Sequence, residues 1–453
     1  MITLALRTIL LTALVRSAPD TGLQLTLDSC VRIAERNATP IQVDTAQIVL
    51  AGEAVLRQYG QFLPIVDVTT GYLREDGNTF LSQSTTVPTS TAFSMAVYHV
   101  AASVNLFNGF RDREALDAAL KSRDAVTFDL TRARQQVAFD VTQSFLQTIL
   151  DRQLVDIAQQ NVALSVARQD QLTELVRVGR RPPTDLYRQQ AQTSADSATV
   201  VDATNRQRHD EIALLERLRL SPDRPWQIVA PADDTVPLAG GAAGAGQLAA
   251  LAERQRPDLA AASANIAAAD LQLHQARGAT LPRVDLGLDV FGTARVFDRE
   301  DQGGTDLLPA TQRALVDQLF PQSAYSLTLG VTWHAFDRYA TRLDIARARY
   351  VTELSQLAYT DLQVRITGEV EDALNDYDAA ADRLAATRSG LVAADTAFAA
   401  VQARYDTGLS NFVDVVSTQS LLTQSRAAHA AAVVRYALAK RVMALVTGVP
   451  VEP

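Results

Sequence analysis

The sequence is poor in cysteine and, beyond its first residues, has no long apolar run. A single cysteine, Cys30, among 453 residues excludes an intramolecular disulfide framework and a cysteine-rich metal site. The lack of eighteen consecutive apolar residues excludes a transmembrane helix and leaves soluble proteins and transmembrane β-barrels. The formal net charge of −9 argues against nucleic acid as a partner, because phosphates would repel an acidic surface.

The N-terminal residues predict export. Residues 1–18 contain Arg7, then an apolar stretch over 8–15 and two small residues, which is the order found in a secretory signal peptide. The alternative is an ordinary N-terminal helix. Cys30 lies well beyond this segment and follows an aspartate by two residues, so we expect a buried helix cysteine there rather than a lipid anchor.

The two halves of the chain repeat the same order of marker residues. Leu63-Pro64 recurs as Leu281-Pro282, each after an alanine-rich amphipathic stretch. The interval from Phe107 to Gly179 has the same length as the interval from Phe336 to Gly408. These equal spacings between matching residues indicate an internal duplication.

One interval of the repeat differs in length. The chain from Pro282 to Phe336 is eleven residues longer than the corresponding chain from Pro64 to Phe107. Insertions are tolerated best in surface loops, so each half should carry a loop there, at 74–93 and 294–323. Between the halves, residues 221–247 are rich in proline and glycine, which predicts a linker.

Long segments without helix breakers predict long helices. Residues 110–178 contain neither glycine nor proline, which at 1.5 Å per residue corresponds to a helix of about 100 Å. Residues 184–220 also lack both. Apolar residues recur at intervals of three and four, as in coiled-coil packing, but 184–210 has too little apolar surface for a compact core. A thin helical wall with water near both faces fits this pattern.

The segments between the helices have a period of two. Apolar residues alternate with polar ones over 284–290 and 325–333, and less cleanly over 66–72 and 98–106. Alternation over roughly ten residues is typical of membrane-spanning β-strands. The alternative is an antiparallel sheet packed on a soluble core. Export and polar loop tips favour the membrane.

Four such strands cannot close a barrel, because about eight is the practical minimum. An open sheet in lipid would leave unpaired backbone edges, which is prohibitively costly. The chain must therefore oligomerise, and two copies would supply eight strands while three would supply twelve.

These features resemble the TolC family of outer-membrane efflux proteins over nearly the whole mature chain. The matching segments are an opening helix, two approaches to the strands, two returns to the long helices and the second inter-helix turn: Leu25-Thr26-Leu27-Asp28, Leu63-Pro64, Leu281-Pro282, Asn105-Leu106-Phe107-Asn108-Gly109, Trp333-His334-Ala335-Phe336-Asp337, and Tyr405-Asp406-Thr407-Gly408 followed by Asp414. Their duplicated order carries the resemblance more than any single motif.

The resemblance implies a fold, an assembly and partners. The fold would be mainly α with a membrane β-barrel part: a homotrimer with a twelve-stranded barrel continuous with a periplasmic helical tunnel. The chain would be a passive exit duct of a tripartite efflux or type I secretion system in the outer membrane of a Gram-negative bacterium. Its partners would be outer-membrane lipid, a periplasmic adaptor and an inner-membrane pump.

The resemblance also implies two groups of site residues at the helix tips. The positions that close the tunnel in the family fall on Thr184, Asp185, Tyr405 and Asp414. The adaptor-docking tips fall on Gly179, Arg180, Gly408 and Ser410. The family's linking arginine is replaced by Ser410 and a second acidic position by Ser417, while the first turn carries Arg180-Arg181-Pro182-Pro183. Three copies of Asp414 would form a carboxylate ring that attracts cations.

The predicted organisation follows the repeat. In chain order the segments are a signal peptide (1–18), first-half N-terminal helices (19–64), a first β-hairpin with an extracellular loop (65–107), a first long helical hairpin (108–220), a linker (221–247), second-half helices (248–282), a second β-hairpin with an extracellular loop (283–336), a second long helical hairpin (337–447) and a tail (448–453).

No enzymatic chemistry is predicted, and neither a cofactor nor a metal ligand set. The five histidines are scattered, and no serine elbow, zinc-protease motif or nucleotide fingerprint occurs. The acidic pairs Glu369/Glu371 and Asp376/Asp378 are interpreted as solvated helix surface. Two alternatives to a duct are a coiled-coil scaffold, which needs no alternating strands, and an adaptor-like protein, which would have one helical hairpin rather than a duplicated plan.

Overall fold

The computed structural model describes residues 23–79, 89–229, 244–302, 305–306 and 313–449. The predicted signal peptide, residues 230–243 of the predicted linker and the last four residues lie outside these ranges. The elements in chain order are β1 (Leu23–Leu25), α1 (Leu27–Asn37), α2 (Thr39–Gly60), β2 (Ile65–Thr79), β3 (Thr89–Phe107), α3 (Arg111–Arg177), α4 (Pro183–Leu218), β4 (Trp226–Ile228), α5 (Ala245–Gln255), α6 (Pro257–Gly278), β5 (Arg283–Gln302), β6 (Thr305–Asp306), α7 (Leu315–Leu319), β7 (Ser323–Thr332), α8 (Ala340–Asp406) and α9 (Phe412–Thr447).

The duplication extends to the bounds of the elements. One constant difference in residue number, which we call the first offset, carries α1 and α2 onto α5 and α6 at both ends of each helix, so that Leu27 corresponds to Ala245. A second offset carries α3 and α4 onto α8 and α9 in the same way, so that Arg111 corresponds to Ala340. The second offset is larger by eleven residues, which is the extra length of the second strand region. Two sequences that differ at most positions therefore encode one structural plan.

The described residues fall into two units, and each unit takes segments from both halves. The helical unit lies within Met1–Val43, Thr131–Arg256 and Arg365–Pro453, and the strand unit lies within Asp44–Leu130 and Pro257–Val364. No helix among the described residues has the length and apolar character needed to span a membrane.

In the strand unit, four long antiparallel strands pair in the order β2-β3-β5-β7, and the short β6 also pairs with β5. β2 and β7 are the edge strands, and no described strand pairs with their outer sides. Most apolar residues of the four strands share one face. Phe320 and the end of α7 cover only one end of this face, at Tyr98, and the rest is open: Val68 is 71% exposed and Leu329 is 65% exposed. The alternative of a sheet packed on a soluble core is therefore wrong for the described residues.

The strands are longer than the ten residues predicted from alternation. β2 has 15 residues, β3 has 19 and β5 has 20, while β7 has 10. The first hairpin stays paired as far as Thr79 and Thr89, inside the predicted loop at 74–93. Backbone pairing continues beyond the apolar face because polar residues at the end of a strand still form backbone hydrogen bonds with the neighbouring strand. The alternation of apolar and polar residues therefore predicts only the part of each strand that has one apolar and one polar face.

Each half turns from its last strand into its long helix with the same local geometry. Asn108 accepts a hydrogen bond from the Asp112 backbone N–H at 3.4 Å, and Asp337 accepts one from the Thr341 N–H at 2.7 Å. Two consecutive residues with positive φ follow each cap, Gly109-Phe110 in the first half and Arg338-Tyr339 in the second.

The helical unit has a core of large apolar side chains. The most buried include Leu25, Phe145, Leu172, Leu214, Leu218, Ile366 and Val415. Cys30 is fully buried on α1, as expected, and burial raises the pKa of its thiol to about 12. The predicted linker contains β4, which pairs with β1, so 221–247 is not wholly irregular. Glu369 is not simple solvated surface, because it forms an ion pair with the buried Arg256 at 2.5 Å.

A buried carboxyl on α3 predicts a pH-dependent stability. Asp151 is 1% exposed and accepts a hydrogen bond from Gln147 at 3.2 Å. Burial, with the neighbouring Asp210 carboxyl, raises the pKa of Asp151 to about 6. Between about pH 4 and pH 6 the unfolded chain ionises this group while the folded chain keeps it protonated. The free energy of unfolding should fall as pH rises through that window, by at most about 1.4 kcal/mol per pH unit.

Asp151→Asn stays neutral at every pH. We expect it to raise the thermal midpoint at pH 7 and to flatten the pH dependence between pH 4 and 6, measured on the purified protein in detergent. Asp156→Asn, at an exposed position of the same helix, is the matched control. Equal pH profiles for the parent and Asp151→Asn would contradict the assignment.

Candidate functional site: the tips of the two helical hairpins

Both long hairpins of the helical unit reverse at a glycine in the left-handed region. Gly179 has φ +74° and Gly408 has φ +79°. In each turn the next residue bonds back five residues, with Arg180 N–H donating to Leu175 O and Leu409 N–H donating to Arg404 O, both at 2.8 Å. These paired bonds form the Schellman motif that ends a helix. Gly179, Arg180 and Gly408 are exposed, and Ser410 is half-buried.

The helices that follow the two turns begin differently. In the first tip Pro182 is the N-cap of α4 and forms no side-chain cap, and Pro183 is the first helical residue. Proline suits this position because the first helical N–H has no partner within the helix. In the second tip Asn411 caps α9 with its side chain. The start of α4 is thus fixed by the restricted φ of proline, and the start of α9 by a side-chain hydrogen bond.

Asp414 has a local role in the second tip that the sequence analysis did not identify. Asn411 Oδ1 accepts from the Asp414 N–H at 2.9 Å, and the Asp414 carboxylate accepts from the Asn411 N–H at 3.5 Å. Ser410 Oγ donates to the same carboxylate at 3.0 Å. This is a capping box, and the Asn411-x-x-Asp414 spacing was the signal that could have revealed it. Asp414 itself remains exposed.

Tyr405 lies inside the protein rather than on the tip surface. It is 3% exposed and packs in an apolar cluster with Leu172, Phe412 and Val415. Its buried Oη has no hydrogen-bond partner among the described residues. Tyr405 and Asp185, two of the positions that the resemblance places at the closure, therefore form no hydrogen bond with each other within one chain.

The contact that Tyr405 does make between the tips comes from Arg181. The guanidinium carbon of Arg181 lies 4.4 Å from the centroid of the Tyr405 ring, a cation–π distance. Burial raises the pKa of Tyr405, Arg181 partly offsets this, and Asp185 adds to it. Asp185 is half-buried and Thr184 is exposed. Sequence reasoning noted Arg181 only as part of an unusual insert.

A buried polar layer lies next to this cluster and was also missed. Arg168 is 8% exposed, donates to Gln402 Oε1 at 2.7 Å and bonds to Gln419. Gln419 donates to Asn161 at 2.9 Å, so the layer joins α3 to both α8 and α9. Burial lowers the pKa of Arg168, and Tyr405 and Asp406 oppose this. Hydrogen bonds rather than apolar packing thus hold the two hairpins together here.

The contacts at the tips connect the two helical hairpins to each other. Within the described residues, no group of three or more His, Cys, Asp or Glu side chains is placed to hold a metal ion. The tips instead combine two glycine turns, one cation–π contact and a hydrogen-bonded layer. Such an arrangement can fix or release the relative position of two hairpins.

Comparisons with known proteins agree with this architecture. The family model described as outer membrane efflux protein matches residues 248–449. The pyoverdine export outer membrane protein OpmQ of Pseudomonas putida is 25% identical over 408 residues, which cover 88% of this chain and 81% of that protein.

Solved structures share the fold at low sequence identity. The CmeC outer membrane channel of Campylobacter jejuni has a TM-score of 0.78 at 14% identity, covering 94% of this chain and 86% of that chain. VceC from Vibrio cholerae has a TM-score of 0.76 at 14% identity, covering 93% and 96%. The outer-membrane channel OprN has a TM-score of 0.75 at 18% identity, covering 93% and 89%.

The paired strand regions, the long helical hairpins and these matches define the fold class of outer-membrane channels. Over residues 248–449 the chain matches the family model of outer membrane efflux proteins, and this agrees with the resemblance to the TolC family found in the sequence. It is an outer-membrane efflux channel of a Gram-negative bacterium that extends into the periplasm. The family consists of channels rather than enzymes.

The unpartnered hydroxyl of Tyr405 predicts an uneven response to substitution. Tyr405→Phe should leave the thermal midpoint in detergent unchanged or slightly raised, because a buried hydroxyl without a partner costs about 1–3 kcal/mol. Tyr405→Ala should lower it, since loss of a buried aromatic ring costs about 3–5 kcal/mol. If Tyr405→Phe destabilised the protein by about 1 kcal/mol or more, the hydroxyl would have a hydrogen-bond partner in the assembly.

Proposed function

We propose that this chain is the passive exit duct of a tripartite efflux or type I secretion system and works as a homotrimer. The observation that carries the proposal is a sheet with a largely exposed apolar face and two edge strands that no described strand pairs. Such a sheet is stable in lipid only when its edges are closed. Three chains would supply twelve long strands, above the minimum of about eight.

Outer-membrane lipid covers the apolar face in this proposal. Val68, Val331 and Tyr325 are each more than two-thirds exposed in the single chain. A water-exposed apolar area of this extent would promote aggregation. The coiled-coil scaffold has no use for such a face. If the protein stayed in the soluble fraction without detergent, the scaffold would be favoured over the duct.

The tips are proposed to dock a periplasmic adaptor that connects the duct to an inner-membrane pump. Gly179, Arg180, Gly408 and Ser410 belong to turns at equal distances from the strands in the two halves. Equal distances supply six similar turns per trimer for a repeating partner. The similarity to a protein named for pyoverdine export supports a small molecule rather than a folded protein as cargo.

The resting closure of the duct is assigned to Thr184, Asp185, Tyr405 and Asp414, with Arg181 added. The Arg181–Tyr405 contact connects the two tips of one chain and takes the place of the family arginine that Ser410 replaces. A cation–π contact contributes about 0.5–1 kcal/mol at a wet site. The closed state should therefore be easily loosened, and three Asp414 carboxylates near the axis should favour cations.

Arg181→Ala should raise the resting conductance of the purified protein in planar bilayers. Losing about 0.5–1 kcal/mol would increase the open fraction about two- to five-fold. Arg180→Ala is the matched control, because it removes the same charge from the same turn without touching Tyr405. If the two variants conducted alike, the contact would have no part in closure.

Asp414→Asn tests the carboxylate ring separately. Asparagine can still accept the Asn411 N–H, so the cap is kept while three charges are lost, and cation preference should fall. Asp170→Asn, at an exposed position of α3, should leave the cation preference unchanged.

The function as a whole is tested by deletion and complementation, in which only the membrane-located protein should restore export of a small toxic or siderophore-like molecule.

A further inference from the structure

The internal repeat contains a template for the contact between copies. Inside one chain the two halves meet where β3 pairs with β5, with Ser103 opposite Gly287. The second strand of the first half (β3) thus pairs with the first strand of the second half (β5). Among the described strands, β7 is the second strand of its half and pairs with no first strand of the other half, and β2 is the first strand of its half and pairs with no second strand of the other half.

The two offsets that relate the halves also hold for strand register. The first offset relates the first strands, and the second offset relates the second strands. Applied to the β2–β3 pair Ile65↔Ser103, they give Arg283↔Thr332, which is the observed pair in β5–β7. All ten pairs between β5 and β7 follow in the same way. The pairing register of the first hairpin therefore predicts the register of the second hairpin without any shift.

We propose that β7 of one copy pairs antiparallel with β2 of the next copy, with Thr332 opposite Thr69. This register comes from Ser103↔Gly287 by the same two offsets, and it rests on the proposed homotrimer. All ten residues of β7 then find partners within β2, at positions 69–78.

This register keeps the parity of the alternation in both strands, although Tyr325 and Leu327 lie opposite Asp76 and Arg74 of the next copy rather than opposite apolar side chains. Leu329 lies opposite Tyr72 of the next copy, and each is 65% exposed in the single chain. A slip by one residue would place apolar side chains on the polar face. A slip by two would keep the faces, so pattern alone leaves several registers open. The repeat selects one of them.

The contact between copies differs from its template at one place. Within the chain the backbones of Gly109 and Gly278 touch, and a Cβ on Gly109 would lie 2.3 Å from the Gly278 carbonyl oxygen. The equivalent residues across the new contact are Arg338 and Gly60. Arg338 already has a Cβ, so the two backbones must lie further apart there than inside the chain. The contact between copies at Arg338 and Gly60 is therefore less tightly packed than the contact within the chain at Gly109 and Gly278.

Disulfide cross-linking tests the register in native outer membranes. The double variant Thr69→Cys with Thr332→Cys, oxidised with copper phenanthroline, should give a covalent trimer on a denaturing gel, reversed by a reductant. The native Cys30 is fully buried and adds no reactive thiol. Ser103→Cys with Gly287→Cys, the same pair inside one chain, should give an oxidised monomer.

A third variant separates register from mere proximity. Leu73→Cys with Thr332→Cys moves one thiol four residues along β2, about 13 Å away, beyond the reach of about 7 Å for a disulfide. It should give no covalent trimer. Cross-linking of this pair instead of Thr69 and Thr332 would overturn the register while leaving the trimer in place.

Two further results are decisive. If no pair cross-linked between chains although the mass in mild detergent was that of three chains, the register would be wrong and the homotrimer correct. A mass of one chain would overturn both. For the less tightly packed contact between copies, Gly278→Ala should lower the thermal midpoint more than Gly60→Ala does. An equal loss from Gly60→Ala would show that the two contacts are equally tight.

Discussion

The structure depends on one constraint: backbone groups at the edge of a sheet need partners, and lipid supplies none. The described residues form four long strands with a largely exposed apolar face and two edges that no described strand pairs. No rearrangement within one chain can pair β2 with β7, since four strands are too few to close. The proposed assembly follows from this unmet hydrogen bonding.

Duplication turns that constraint into a precise arrangement. Helix bounds repeat at two constant offsets although the side chains mostly differ. The paired junctions show how the same backbone is reached by different means, because Gly109 and Arg338 both adopt positive φ. Of these two, only Gly109 is required to lack a side chain, since only it meets another backbone closely. A repeated plan thus tolerates sequence change wherever the neighbouring backbone leaves room.

The tips show where sequence reasoning reached its limit. Gly179 and Gly408 could be recognised because a helix end with positive φ favours glycine. Arg181 could not be assigned to Tyr405, because the two residues lie in different halves of the chain and meet only when both hairpins are packed. The capping role of Asp414 follows from its spacing to Asn411, because a side chain three residues after an N-cap can reach the backbone of that cap.

The sequence by itself determined the features that depend on local periodicity. These are the long helices, the alternating strands and the duplicated order, whereas the class of membrane channel came from the resemblance to a known family. It did not determine where the strands end, because ladder pairing continues after the alternation stops. Tertiary structure alone decided that Tyr405 is buried without a hydrogen-bond partner among the described residues and that Arg168 joins two hairpins. Such contacts depend on the packing of distant segments, and no spacing along the chain records them.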